Sequence, residues 1–254
     1  MFIFESPQLS NTLGNGNLIN GDCLEEMKKI PDESIDMVLT DPPYGINYLS
    51  PRTKNHEKII NDENLDVGRL YSLFLPEVKR VLKKGAVACF CSAGGGGIPS
   101  SALATLEVIK HLNLIQTVIW SKGVTEASFM GLGWRYRPSY ETIIIASKGK
   151  DYKWTQTSRK INNIFNCKTI IPQKDDHPTP KPVKLMQFFI ENHSEVGDIV
   201  LDPFLGSGTT AIACEKLQRR WIGIEISKEY CELARKRIEP WVNQTRINAF
   251  GQSE

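Results

Sequence analysis

The chain has 254 residues, 41% of them hydrophobic and 24% charged, with a formal net charge of +2. This length and balance suit one large domain, and the near-neutral charge excludes a globally basic coat, so any nucleic-acid surface must be local. The six cysteines are scattered, with no C-x-x-C pair and no histidine at zinc spacing, so neither a disulfide framework nor a metal is expected. No apolar run approaches the roughly 18 residues of a membrane helix, and the start, MFIFESPQLSNTLGNG, has no basic n-region. A soluble, cytoplasmic protein with no membrane partner is expected, its cysteines reduced.

Residues 1–16, polar and rich in Gly and Asn, read as a tail or an edge. A short strand over Asn17–Asn20 leads into Gly21, Asp22 and Cys23 and then a helix through Ile30. Asp22 stands at a strand end, a place for a ligand contact and equally for a helix N-cap.

The stretch Ile35–Gly45, IDMVLTDPPYG, follows. Its apolar run, Ile35, Met37, Val38 and Leu39, suits a strand buried on both faces of a parallel sheet. Asp41, Pro42, Pro43 and Tyr44 then fall at the carboxyl end, where open α/β sheets bind ligands. Consecutive prolines fix φ and remove two N–H donors, which leaves a rigid site rich in acceptors. Such a site suits an amino group. The exocyclic amine of a nucleobase is a poor nucleophile because its lone pair is delocalised into the ring. Accepting its protons at Asp41 and the Pro42 carbonyl favours a more tetrahedral nitrogen, while Tyr44 offers a face for stacking. An ordinary proline turn closing a strand is the competing reading.

Residues 45–64 are polar and aperiodic, and Arg52, Lys54, His56 and Lys58 make them basic; they read as a mobile flap that meets phosphates, or else as a solvated loop. Leu70, Phe74, Val81 and Leu82 mark an amphipathic helix, bent at Pro76 and stopped at Lys83-Lys84-Gly85. A strand over Ala86–Cys91, the run Gly94–Gly97, a helix over Ser101–His111 and a strand over Leu114–Trp120 come next. Cys89 and Cys91 share a strand face and read as core rather than as a redox pair. An aperiodic stretch then interleaves Phe129, Trp134, Tyr136 and Tyr140 with Arg135 and Arg137, a mixture that suits splayed bases and phosphates or simply packs the loop. Thr142–Ala146 is a strand, and the basic residues 148–176, with Lys153, Arg159 and Lys160, read as a small target-recognition insert or a linker.

The last third is regular. A helix over Val183–His193, a strand over Ile199–Leu201, a small-residue helix to Leu217, a strand over Trp221–Ile226 and a helix over Lys228–Ile238 alternate. The expected fold is therefore α/β: a doubly wound, Rossmann-like, mostly parallel sheet with helices on both faces. Gly206-x-Gly208-x-x-Ala211 follows a strand and opens a helix, with Glu225 standing 19 residues beyond Gly206. Glycines let backbone approach a ligand, and an acid ending the next strand can accept both ribose hydroxyls. By itself the pattern indicates an adenosine-containing cofactor and leaves NAD open, hence an NAD-dependent oxidoreductase as the remote alternative.

Taken together, GDCLEEM, DESIDMVLTDPPYG, RPSYETIIIASKG, HPTPKP, DPFLGSGTT and GIEIS occur in an order that resembles the permuted group of DNA amino-methyltransferases, in which DPPY precedes FxGxG. The resemblance spans most of residues 17–240, which it marks as one catalytic domain with 241–254 a second tail. It implies the S-adenosylmethionine-dependent methyltransferase fold, S-adenosyl-L-methionine as cofactor and double-stranded DNA as substrate. Asp41, Pro42, Pro43 and Tyr44 would bind and activate a flipped base. Asp202, Phe204, Gly206, Ser207, Gly208 and Thr209 would line the methionine end of the cofactor, Glu225 with Ile226 its ribose, and Asp22 and Cys23 its adenine, with Asp41 also bordering the cofactor. His177, Thr179, Lys181 and Pro182 match the motif beside the cofactor carboxylate, although the family more often has Gln where Pro180 stands. Asp41 at the head of DPPY favours adenine N6 over cytosine N4. Many relatives pair as dimers, so a homodimer is left open; no sequence feature identifies its face.

Overall fold

The computed structural model describes residues 12–44, 66–93, 100–123, 139–156, 160–169 and 180–250, the side chains of Thr12 and of 243–250 excepted. The strands are β1 (Thr12–Leu13), β2 (Gly16–Asn20), β3 (Ile35–Thr40), β4 (Leu82–Ala93), β5 (Asn113–Ser121), β6 (Tyr140–Ser147), β7 (Ile164–Asn166), β8 (Ile199–Asp202) and β9 (Arg220–Glu225). The helices are α1 (Cys23–Glu26), extended by a tighter turn over Met27–Lys29, then α2 (Val67–Val81), α3 (Ser100–His111), α4 (Val183–His193), α5 (Thr209–Lys216) and α6 (Lys228–Phe250).

One sheet carries the strands in the order β1-β2-β9-β8-β3-β4-β6-β5-β7. From β2 to β4 the pairing is parallel throughout. By contrast β6 runs against both its neighbours, β4 and β5. The expected doubly wound, mostly parallel sheet is present. Its central strands read as unbroken apolar runs because both faces are covered. Met37, Leu39, Cys89, Cys91, Ile143 and Ile145 face one core with Phe189, Ile190, Ala211 and Ile238 of α4, α5 and α6. Val38, Ala88, Phe90 and Ile144 face the other with Phe74, Val78 and Val108 of α2 and α3. Among the described residues, no helix is long and apolar enough to cross a membrane.

Three boundaries differ from the sequence reading. Helix α2 stops at Val81 and the chain turns directly into β4 at Leu82, which pairs with Ile35. The expected stop signal at Lys83-Lys84-Gly85 instead makes an irregularity inside the strand, with Gly85 at φ +77°. Residues 12–16, expected within a tail or an edge, form a hairpin that adds β1 to the sheet edge. Helix α6 passes through Pro240 to Phe250 rather than ending at Ile238. A proline inside a helix costs about 3 kcal/mol. Burial of Val242 returns roughly 1.5–3 kcal/mol, and the Lys216 ammonium lies 3.6 Å from the centre of the Trp241 ring, so continuing the helix is favoured.

Candidate active site

The carboxyl ends of β2, β9, β8 and β3 lie side by side because these four strands are parallel neighbours. That edge therefore carries Asp22, Glu225, Asp202 and Asp41 in one row. The two central segments are joined directly: Thr40, closing β3, donates from Oγ1 to Asp202 Oδ1 at 2.6 Å. Asp202 also accepts from the Phe204 amide at 3.1 Å, which shapes the turn that follows.

Asp202 is buried, and burial lifts its carboxyl from 3.8 to about 6 although the hydroxyls of Thr210 and Thr40 and the Phe204 amide oppose the shift. The folded state thus holds this proton more tightly than the unfolded chain. The associated stability is complete below about pH 3.8 and is lost as pH rises to about 6, on the order of 3 kcal/mol. Asp202→Asn should remove that segment from the difference in unfolding free energy between pH 4 and pH 7, measured by chemical denaturation. An unchanged pH dependence would contradict the assignment.

The turn after Asp202 needs glycine twice: Gly206 has φ +54° and Gly208 φ +85°. A Cβ on Gly208 would also meet Ile238 Cδ1 at 3.0 Å and Ala234 Cβ at 3.1 Å, so α6 packs hard against the turn. Arg237 of α6 donates to the Ser207 carbonyl at 2.6 Å and to its hydroxyl. Glu225 closes the other side. It accepts from the Gly206 amide through Oε2 and from the Ser227 amide through Oε1, both at 2.8 Å, and burial raises its pKa. Asn20 of β2 donates to the carbonyls of Glu225 and Ile226. Asp22 caps α1 by accepting from the Leu24 amide at 2.9 Å, and beside it the Cys23 thiol is pushed up to about 12 by burial and by Asp22. That thiol stays protonated and is no nucleophile.

Asp41 sits in a charged cluster. Lys181, just ahead of α4, donates to Asp41 Oδ2 at 2.6 Å, and the Tyr44 hydroxyl donates to Oδ1 at 2.5 Å. A second acid completes the group. Glu141 of β6 lies 3.3 Å from Lys181 Nζ and from the Tyr44 hydroxyl through Oε2, and 2.8 Å from Lys122 Nζ through Oε1. Burial opposes the charge on Lys181, but Asp41 and Glu141 outweigh it and hold the ammonium well above its ordinary value. Burial likewise opposes ionisation of Glu141, which Lys181 and Lys122 overcome, so its pKa is lowered. The phenol of Tyr44 is driven up by burial and then by Asp41. Lys181, Glu141 and Tyr44 are each shifted away from neutrality and keep one protonation state there.

Most residues expected at the site share this edge: Asp22, Cys23, Asp41, Pro42, Pro43, Tyr44, Lys181, Asp202, Gly206, Ser207, Gly208, Thr209, Glu225 and the half-exposed Ile226. Phe204 belongs to the same turn, and its ring meets Phe74 edge-on at 5.3 Å. Thr179, the flap residues Arg52, Lys54, His56 and Lys58, and also Arg135, Arg137 and Arg159, lie outside the described residues. Lys160 is exposed just before β7.

Lys153, expected to meet DNA, pairs with Asp198 at 2.6 Å and Glu195 at 3.2 Å, directly before β8 begins. That is the amino edge of the parallel strands, opposite Asp41, and its charge is already compensated. Lys148 docks there too, donating to the Leu82 carbonyl at 2.7 Å, so residues 148–156 brace the far edge of the sheet. Four site residues were missed. Glu141 and Lys122 belong to the antiparallel pair β6 and β5, Asn20 is the last residue of β2, and Arg237 reaches in from α6.

A family model described as DNA methylase, of the N6/N4 type, matches residues 35–236. The chain belongs to this family. Among relatives, the type II methyltransferase M.HinfI of Haemophilus influenzae is 30% identical, over 87% of this chain and 67% of that one. The DNA adenine methyltransferase YhdJ of Escherichia coli (strain K12) is 29% identical, over 87% and 82%. Among solved structures, the cytosine-N4-specific PvuII DNA methyltransferase superposes with a TM-score of 0.72 at 22% identity, covering 92% of this chain and 93% of that one. A DNA modification methylase of Thermus thermophilus, solved with S-adenosyl-L-methionine, gives 0.63 at 23%, covering 89% and 95%. This DNA methylase is accordingly an amino-methyltransferase of N6 or N4 type, and its methyl donor is S-adenosyl-L-methionine. The chain's own residues fit that donor: a glycine turn with left-handed backbone at Gly206 and Gly208, flanked by the carboxylates of Glu225 and Asp202.

Proposed function

We propose that this DNA methylase transfers a methyl group to the N6 amine of adenine in double-stranded DNA. The observation that carries the reading is the adjacency of the DPPY turn and the glycine turn at the carboxyl ends of neighbouring strands, tied by the bond from Thr40 to Asp202. Two reactants held in one pocket gain the advantage of proximity. When bound, S-adenosyl-L-methionine supplies an electrophilic methyl; Asp202, the turn through Thr209 and Glu225 would hold it.

The remaining work falls to Asp41, Pro42, Pro43 and Tyr44. Asp41 and the Pro42 carbonyl accept the two amine hydrogens, which draws the nitrogen lone pair out of conjugation with the ring. The prolines fix this arrangement and offer no competing N–H. Tyr44 supplies the stacking face for a base swung out of the duplex. Asp41 at the head of the motif and the adenine-specific relative YhdJ favour adenine. Cytosine N4 is the second reading, because the same two acceptors fit either amine.

Digesting methylated DNA to nucleosides and resolving them by mass spectrometry tests the reading. N6-methyldeoxyadenosine is expected. N4-methyldeoxycytidine, or no methylated nucleoside, would overturn it. Cofactor affinity provides a separate check. Glu225→Ala should weaken binding by roughly 1–3 kcal/mol in calorimetry, toward the upper end because the same carboxylate also holds the Gly206 amide. Unchanged affinity would remove Glu225 from the site.

A further inference from the structure

Both oxygens of Asp41 are engaged in this structure, Oδ2 by Lys181 and Oδ1 by the Tyr44 hydroxyl. Each carboxylate oxygen can accept a second donor, so an arriving base amine shares Asp41 with both, and it meets a stronger acceptor where one of them moves aside. Lys181 is the poorer candidate, since its ammonium is buried and also lies 3.3 Å from Glu141. Its release would give up a charge-assisted bond of 2.6 Å and leave the longer contact to Glu141. Tyr44 carries no charge to leave behind, and its hydroxyl already stands 3.3 Å from a second acceptor, Glu141 Oε2. A small rotation would exchange the bond to Asp41 for one to Glu141.

We propose that Glu141 is a positioning residue that takes over the Tyr44 hydroxyl when the base amine displaces it from Asp41. The proposal rests on the reading that Asp41 accepts the amine. Lys122, 2.8 Å from Glu141 Oε1, anchors the far oxygen and leaves Oε2 turned toward Tyr44 and Lys181. A proton relay through the same groups is disfavoured, because Lys181 holds its proton more firmly than usual and Glu141 binds one less readily. The cluster works instead by exchanging a hydrogen-bond partner among groups of fixed charge. Without Glu141 the phenol has no second acceptor among the described residues and competes with the substrate for Asp41 Oδ1.

A double-mutant cycle on the full chain, with S-adenosyl-L-methionine and DNA, decides the matter. Glu141→Ala should lower kcat about 30-fold while cofactor affinity stays within about twofold. In a Tyr44→Phe background, which keeps the ring and lacks the competing hydroxyl, the same substitution should lower kcat no more than about threefold. Tyr44→Phe itself must retain measurable turnover. Equal losses in both backgrounds, a wild-type kcat in Glu141→Ala, or a dead Tyr44→Phe would each overturn the proposal. Should Glu141→Ala fail to bind cofactor through misfolding, Glu141→Gln enters the same cycle. Coupling of at least about threefold in the same direction is then expected, and its absence overturns the proposal. The two levels separate cleanly. An inactive Asp41→Ala with no coupling at Glu141 removes this inference alone, whereas an active Asp41→Ala removes the role of Asp41 as well.

Discussion

Asp41→Ala should reduce methyl transfer by roughly 10³-fold or more, about 4 kcal/mol in the barrier, in single-turnover assays at saturating cofactor. The size follows from what the substitution takes away. On the proposed reading Asp41 acts on the reacting nitrogen itself, so the loss falls on the transition state, where the amine has become tetrahedral. Cofactor affinity should change little, because Asp202 and Glu225, at the ends of β8 and β9, are held by hydrogen bonds of their own. The fold should also survive. Lys181 keeps Glu141 as a counter-charge, and Tyr44 keeps Glu141 within 3.3 Å. Turnover near that of the wild type would show that another group accepts the amine.

Lys181→Met should produce the largest loss of stability among the site variants. Breaking a buried ion pair costs about 3–5 kcal/mol when the abandoned charge has no other partner. Here Glu141 retains Lys122, and the Asp41 side chain is 28% exposed, so water reaches it. A value near the lower bound, about 3 kcal/mol, is therefore expected in urea denaturation at pH 7. The sign of the pH effect follows from Glu141, whose pKa is lowered in the folded protein, against burial, by Lys181 and Lys122. That depression contributes stability above the ordinary value of 4.5, which is lost as pH falls through the folded value. The gap between variant and wild type should thus be widest near neutrality and narrow below about pH 4.5. A gap that widens on acidification would show that Lys181 does not support Glu141.

The hydrophobic pattern carried most of the fold. The unbroken apolar run at β3 marked a strand buried on both faces, and the two core clusters bear that reading out. Helix ends were less legible. At Leu82 and Pro240, tertiary packing overrode local signals, because one strand pairing or one buried valine outweighs a propensity of a few kcal/mol. Site residues at the carboxyl ends of parallel strands were found by a positional rule, which looks for polar groups where an apolar run stops. Glu141 escaped that rule. It lies near the amino end of β6, and only because β6 runs antiparallel does that end reach the same edge as Asp41. The position of Lys153 was equally hidden: its basic neighbourhood suggested DNA, and the chain places it at the far edge beside Asp198.

The chemistry available could be read from short segments alone: an acid followed by two prolines, a glycine turn after a strand and an acid closing the next strand. Backbone geometry and donor count set these properties, and they survive without knowledge of neighbours. Which charges meet is another matter, settled by how distant elements pack. The pairing of Asp41 with Lys181, 140 residues apart, and the arrival of Glu141 and Lys122 from antiparallel strands depend on strand order and direction. Spacing along the chain holds no record of either, because the partners of a buried ion pair come from elements that meet only once the sheet is assembled.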